Sequence, residues 1–341
     1  MSRAHHFVML AWEAVIVFGT SMTVMSWASV RLTTALERIG ARLRFSEGLL
    51  GIVTALGADA PEVCSAFVAL LSNHHEVGLG VVLGSNIFNL AGLLGLSALV
   101  AGRVSIGRQG LWFNGGISLV VSAVVVTLVL QWISVWSSLV LLALVLVPYV
   151  ALTAMRPRQI AKLKLPPKTK QFLGVAIGHV HRDARKRENI THASWQDPLW
   201  ATLSVTLIVG SSIGAVNSAV LLGSRWGISH TVIGMLVLAI LTSVPNVIAA
   251  VQLAREGRGA AVVSESLNSN TLNILVGVSL PALLIGFAPP SPSIIFAALW
   301  LLGMKIVTLV IASHRHGLHR AGGAAILMLY MFFALVIFLW K

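Results

Sequence analysis

The chain reads as an all-α integral membrane protein of ten transmembrane helices arranged as two inverted five-helix repeats, on two observations. Of its 341 residues, 57% are apolar and 10% charged, in long uninterrupted apolar runs, so its exterior must be solvated by lipid rather than water. The stretch Gly57 to Asn89 also returns in the second half as Leu241 to Asn273. Pro61 answers to Pro245, Glu62 to Asn246, Ser85 to Ser269, Asn86 to Asn270 and Asn89 to Asn273, each pair 184 positions apart (245 − 61 = 184). A duplicated pair of apolar helices with prolines, carboxylates and amides at matching depth is the pattern expected of a secondary transporter whose site lies between two repeats.

Stretches able to span ~30 Å of hydrocarbon fall at roughly 8–28, 48–72, 78–101, 111–132, 134–155, 198–222, 228–253, 259–286, 291–313 and 321–340. Residues 1–155 form the first repeat, 156–197 a basic linker and 198–341 the second repeat. Orientation follows from the 24 Lys and Arg, because short loops rich in them stay in the cytoplasm. Twenty fall on one side: Arg31, Arg38, Arg42 and Arg44, then Arg103 and Arg108, ten between Arg156 and Arg187, then Arg255, Arg258, Arg315 and Arg320. Arg3, Arg225 and Lys341 fall on the other, and Lys305 within a span. The linker is therefore expected to be cytoplasmic and both termini to face away, in a bacterial inner (plasma) membrane. With five spans per half, the second half enters the membrane upside down.

The net charge of +13 does not imply nucleic acid, because the basic residues are spread over cytoplasmic loops and no soluble basic domain exists to present them. The expected partners are inorganic cations and the lipid bilayer. The single Cys64 excludes a disulfide framework. The first apolar run contains Glu13 and ends in no small-residue cleavage site, so it is expected to be a retained span. The linker, with Pro157, Pro166, Pro167 and Arg185-Lys186-Arg187, reads as a cationic juxtamembrane segment lying on anionic lipid. Asn189-Ile-Thr191 fits a glycosylation acceptor on paper, but on the cytoplasmic side.

Charged residues inside a span are costly and need a reason. They are Asp59 and Glu62 in the second span, Glu265 in the eighth and Lys305 in the ninth, while Glu13 of the first is near a membrane edge. Asp59 and Glu62 share a helix face, and Glu265, Ser269 and Asn273 run down one face of their own helix at i, i+4, i+8. If the two stripes face each other across a pseudo-two-fold axis, three carboxylates meet several amide and hydroxyl oxygens, the donor set that a hard cation such as Ca2+ requires. Pro61 and Pro245 each free a carbonyl one turn earlier, and these are expected to be ligands too. The competing structural reading pairs Asp59 and Glu62 with Lys305 or a nearby arginine.

Both segments resemble the α-repeats of the cation/calcium antiporter superfamily, the sodium/calcium exchangers, and the second repeat is most similar to the potassium-dependent branch. The matching strings are Gly57-Ala-Asp-Ala-Pro-Glu62 with Gly84-Ser-Asn-Ile-Phe-Asn89, and Thr242-Ser-Val-Pro-Asn246 with Ala254-Arg-Glu-Gly-Arg-Gly259 and Asn268-Ser-Asn-Thr-Leu-Asn273. The resemblance implies an ion site made by spans 2, 3, 7 and 8, with long first and sixth helices sliding as gates. It carries the family's ligands onto Glu62, Ser85 and Asn89, and onto Thr242, Ser243 and Ser269. Elsewhere the chain departs from the pattern. Ala58 and Asp59 replace a hydroxyl pair, Asn246 and Asn273 stand where acids are usual, and Glu265 stands where Asn is usual.

The reading is thus a cation antiporter working by alternating access, with Asp59, Glu62 and Glu265 as charged ligands and Asn89, Asn246 and Asn273 as neutral ones. It needs no cofactor beyond the transported ions, among them Ca2+, Na+ or H+. Two carboxylates one turn apart in low dielectric resist ionising together, which admits H+ in place of Na+ as the driving ion. Alternatives are a transport-inactive relative acting as cation sensor or partner subunit, and a proton-coupled monovalent cation antiporter. An intramembrane enzyme is disfavoured. Asp59 is the only Asp inside a span, one short of an aspartyl dyad. Metal hydrolysis would have to draw on His74-His75-Glu76, on His179 and His181, or on the His314–His319 cluster, and adjacent histidines point apart on a helix.

Overall fold

A computed structural model of the chain describes residues 10–105, 107–155, 157–184, 194–285, 289–314 and 317–340. The first half holds the spans α1 (Ala11–Arg42), α2 (Leu49–Leu71), α3 (His75–Ala101), α4 (Arg108–Val129) and α5 (Val135–Ala154). Two further helices follow in the linker, α6 (Pro157–Lys162) and α7 (Pro167–Ala184). The second half holds α8 (Asp197–Trp226), α9 (His230–Arg255), α10 (Gly259–Leu284), α11 (Pro292–His314) and α12 (Arg320–Leu339). Serines cap several of these helices, since a hydroxyl can accept from an N–H that the first turn leaves unpaired. Ser46 accepts from Leu49, Ser134 from Ser137 and Ser229 from Val232.

The span boundaries agree with the sequence expectation except at α1, which continues 14 residues beyond position 28 (42 − 28 = 14). Arg31, Arg38 and Arg42 therefore lie on a helix rather than in a loop. Hydropathy reports where lipid ends, whereas a helix satisfies its own backbone and can project into water. This one, of 32 residues, is held by the 30-residue α8, against which it packs. Arg38 Nη1 lies 3.5 Å from Asp197 Oδ1 at the start of α8, and the Arg31 guanidinium lies over the Trp27 and Trp200 rings.

Spans α2, α3, α9 and α10 form the centre. The α3 backbone crosses that of α9 at contact distance. A Cβ added at Gly84 would sit 2.6 Å from Met235 Cα, and one at Gly234 would sit 3.0 Å from Val77 Cα. Only glycine allows that approach. Wide π-helical turns follow the same point in both repeats, Leu90–Leu96 directly after Asn89 and Leu275–Ser279 just after Asn273. Such turns occur frequently at functional sites. A short antiparallel pair, β1 (Arg103–Ser105) with β2 (Gly317–His319), joins the α3–α4 and α11–α12 connections. Both connections thus lie on one membrane face, as two inverted five-span halves require.

The linker differs from a segment merely lying on lipid. Its α7 packs against α2, α4 and α10, with Leu173 and Ile160 buried beside Phe113 and Leu152. Arg185-Lys186-Arg187 and Asn189-Ile-Thr191 fall outside the described residues.

Candidate ion-binding site

Asp59 and Glu62, one turn apart on α2, are each 1% exposed, and each faces the second repeat. Ser243 Oγ on α9 donates to Glu62 Oε1 at 2.6 Å, and Asn273 Nδ2 on α10 donates to Glu62 Oε2. Ser269 Oγ on α10 donates to Asp59 Oδ1 at 2.6 Å, and Asn246 Nδ2 on α9 donates to the same oxygen at 2.9 Å. Two of these contacts are images of one another. A shift of 184 turns position 59 into 243 and 62 into 246, so Glu62 with Ser243 and Asn246 with Asp59 are the same contact made twice. In both copies the charge comes from α2 and the neutral group from α9.

The two-fold relation is visible again one layer away, where Asn270 Nδ2 donates to the backbone oxygen of its own repeat equivalent, Asn86, at 3.0 Å. Asn89 Nδ2 donates to Ser269 Oγ at 3.2 Å, and Ser85 and Asn89 lie beside the Glu62 carboxylate. The Ser85 hydroxyl donates to Val82 O. Thr242 is buried, but its hydroxyl donates back to Leu238 O at 2.8 Å within its own helix. Nine of the ten predicted site residues are thus buried around the crossing of the two repeats. The tenth, Glu265, is half-buried, and its charge acts on Asp59.

Three sequence expectations change. Among the described residues no three His, Cys, Asp or Glu side chains converge closely enough to hold a metal ion, so the expected three-carboxylate cluster gives way to two central acids with Glu265 at their margin. A cation here would have to draw on amide and hydroxyl oxygens as well. The carbonyl that Pro61 frees, Gly57 O, accepts from Ser29 Oγ on α1 at 3.1 Å rather than being left for a ligand. And Lys305 is not the counter-ion of Asp59 or Glu62. Its Nζ donates to Ser118 O, Ser118 Oγ and Ser122 Oγ on α4, at 3.2, 2.9 and 2.5 Å.

At the crossing of the repeats the unsatisfied side-chain atoms among the described residues are all acceptors. Asp59 Oδ2, Asn86 Oδ1, Asn89 Oδ1, Asn270 Oδ1 and Asn273 Oδ1 are buried without a protein donor. All five are oxygens. Buried polar atoms are ordinarily paired, and acceptors without protein donors are satisfied by the hydrogens of water or by a cation. Asn86 and Asn270 were not among the predicted ligands, although the constant offset of 184 had paired them.

Comparison with known proteins agrees with this architecture. The family model described as sodium/calcium exchanger protein matches residues 13–154 and 197–339, leaving the linker between them. A putative antiporter, CaxA of Alkalimonas amylolytica, is 23% identical over 341 aligned positions, covering 93% of this chain and 96% of the relative. Among solved structures, the sodium-calcium exchanger NCX_Mj superposes with a TM-score of 0.61 at 19% identity, over 95% of this chain and 98% of that one. The H+/Ca2+ exchanger CAX superposes at 0.64 and 16% identity, over 95% and 84%. At these identities the structural likeness carries the fold, and the family match, spanning both halves, carries the membership. The chain belongs to the sodium/calcium exchanger protein family, a family of transporters rather than enzymes.

Proposed function

We propose that the chain is a secondary active antiporter that moves Ca2+ or another cation across the membrane in exchange for H+ or Na+, by alternating access at the Asp59–Glu62 site. The observation that carries this reading is the group of buried acceptor oxygens at the crossing of the repeats, Asp59 Oδ2 with the Asn89 and Asn273 carbonyl oxygens, set beside two carboxylates. A site of this kind attracts a cation strongly when the ion loses its water, because attraction at low dielectric is many times that in bulk. Oxygen ligands in this number suit a hard cation.

The charge balance admits either coupling ion. Two central carboxylates are neutralised by one divalent cation, by two protons or by two Na+, so exchange between those states leaves no bare charge in the interior. With Asn at 246 and 273, no further central acid is left to balance additional Na+. Both CaxA and CAX carry antiport or H+/Ca2+ exchange in their names, and NCX_Mj carries sodium-calcium exchange, so both coupling ions are represented among proteins of similar fold. The expected orientation keeps the linker cytoplasmic, which a tag in 160–190 tests. Labelling on the same side as Lys341 would contradict it.

Flux in proteoliposomes decides the main reading. Ca2+, Mg2+, Mn2+, Na+ and K+ are offered in turn under an imposed pH or Na+ gradient. A cation that moves against the pH gradient supports the proposal, and movement that needs Na+ at fixed pH transfers the coupling to sodium. A cation that binds and never moves would make the chain a sensor.

A further inference from the structure

Lys305 has no part in the transport reading, yet it is 0% exposed and near the middle of the 23-residue α11. Its Nζ donates to Ser118 O, Ser118 Oγ and Ser122 Oγ on α4. Three acceptors match the three N–H bonds of an ammonium, which a neutral amine would not fill, so the pocket is built for the charged form. All three acceptors are neutral. Burying a charge without an opposite charge is costly, and hydrogen bonds to neutral oxygens return little of that cost. A methionine of similar length would join α4 to α11 more cheaply. What the lysine supplies and methionine cannot is its charge.

That charge sits one helix behind the ion site. Asn114, one turn before Ser118 on α4, shares the Tyr149 hydroxyl of α5 with Asn268 on α10, and the next residue, Ser269, donates to Asp59. On the other side, α11 packs against α3, which carries Ser85 and Asn89. Ser118 and Ser122, like Asp59 and Glu62, lie near the middle of their spans, so ammonium and carboxylates share a depth. Neighbouring helix axes are about 8–10 Å apart, which places the ammonium roughly 10–15 Å from the two acids. It makes no contact with them and acts on them through its field.

We propose that Lys305 is a specificity-determining residue of the Asp59–Glu62 site, a fixed positive charge that the cycle neither binds nor releases and that weakens divalent cations more than monovalent ones. The inference rests on the reading of Asp59 and Glu62 as the cation ligands. Repulsion scales with the charge of the bound ion, so a divalent ion feels twice the energy that a monovalent one does. The factor by which Lys305 weakens the first is therefore the square of the factor for the second. At roughly 10–15 Å and an effective dielectric of roughly 20–40, that is about threefold to tenfold for Na+ and about tenfold to a hundredfold for Ca2+. Two bare carboxylates would hold a divalent ion tightly, and the lysine eases its release.

The test measures Na+ and Ca2+ affinity of the purified full-length protein by titration calorimetry, at a pH where binding releases no protons, because displaced protons would mask the gain. Lys305→Met keeps the length and removes the charge. It should raise the affinity for both ions, with the rise for Ca2+ close to the square of the rise for Na+. Ser118→Asp places a carboxylate on the ammonium and cancels its field with the lysine in place, so it should raise both affinities in the same relation even if Lys305→Met fails to fold. A packing role alone would lower the melting temperature of Lys305→Met and leave the ratio of Ca2+ to Na+ affinity where it was. An unchanged ratio in the folded variants, with binding lost in Glu62→Gln, would overturn this inference and leave the site standing. Parental binding in Glu62→Gln would overturn the site and the inference together.

Discussion

The two repeats share a backbone plan and differ in where they keep their charge. In the first, α2 carries Asp59 and Glu62. In the second, α9 carries Ser243 and Asn246 at the same two positions, and each neutral group donates across the axis to the acid that is not its own repeat equivalent, Ser243 to Glu62 and Asn246 to Asp59. The pseudo-symmetry therefore fixes who meets whom, while the chemistry of the contact is free to be divided unequally. A site built this way has acids on one wall and donors with spare carbonyl oxygens on the other. Glu265, half-buried beside Asp59, offsets the imbalance from the second repeat without entering the centre.

The comparison breaks first at Glu62. Glu62→Gln removes the charge while keeping the shape, and both hydrogen bonds it receives lose their ionic component. Bonds to a charged group are worth about 1.5–3 kcal/mol each, so cation affinity should fall by at least ~100-fold, measured by cation-dependent thermal stabilisation and by flux. Wild-type behaviour would mean that Glu62 serves packing alone. A charge transfer across the axis sharpens the point. In Glu62→Asn with Asn246→Glu, the acid moves to the equivalent place on α9, and the double variant should bind cation on the order of tenfold better than Glu62→Asn alone. No recovery would show that the two walls are not interchangeable.

Glu265→Gln ranks next. Because its carboxylate is at the margin and partly solvated, its field on the site is screened, and the expected loss is about tenfold or less. A loss equal to that of Glu62→Gln would move Glu265 into the centre, as the helix stripe with Ser269 and Asn273 had suggested. The smallest effect belongs to Ser29→Ala. It leaves Gly57 O at the proline break without its donor, costing about 1 kcal/mol of stability in a thermal melt, with cation affinity unchanged. A change in affinity would show that this carbonyl belongs to the ion site after all.

Periodicity and the constant offset made the spans and the inversion legible, because both are properties of one strand of sequence read against itself, and the family resemblance added hydroxyl and amide candidates that the crossing of the repeats buries. What stayed hidden depended on a third element. The Gly57 carbonyl was expected to be a ligand because a proline frees it, but whether a freed carbonyl meets an ion or a hydroxyl depends on α1, which supplies Ser29. Lys305 was a natural counter-ion for two acids by charge alone, yet its helix turns it toward α4 and the serine pair there. Glu265 lies on the predicted stripe, but a stripe names a face and not a depth. The extension of α1 past its apolar run was invisible to hydropathy, since Trp200 and Asp197, which hold it, are far away in sequence.

Proton release on cation binding tests the central claim most directly. Ca2+ is added to the purified protein in weakly buffered solution near neutral pH, and the change in pH is followed for the parent, Asp59→Asn and Glu62→Gln. If the two α2 carboxylates hold protons that a cation displaces, the parent releases protons in proportion to Ca2+ bound, and both variants lose the release together with the binding. Ca2+ binding of parental affinity in Glu62→Gln and Asp59→Asn, with or without protons released, would place the ion site elsewhere and contradict the account.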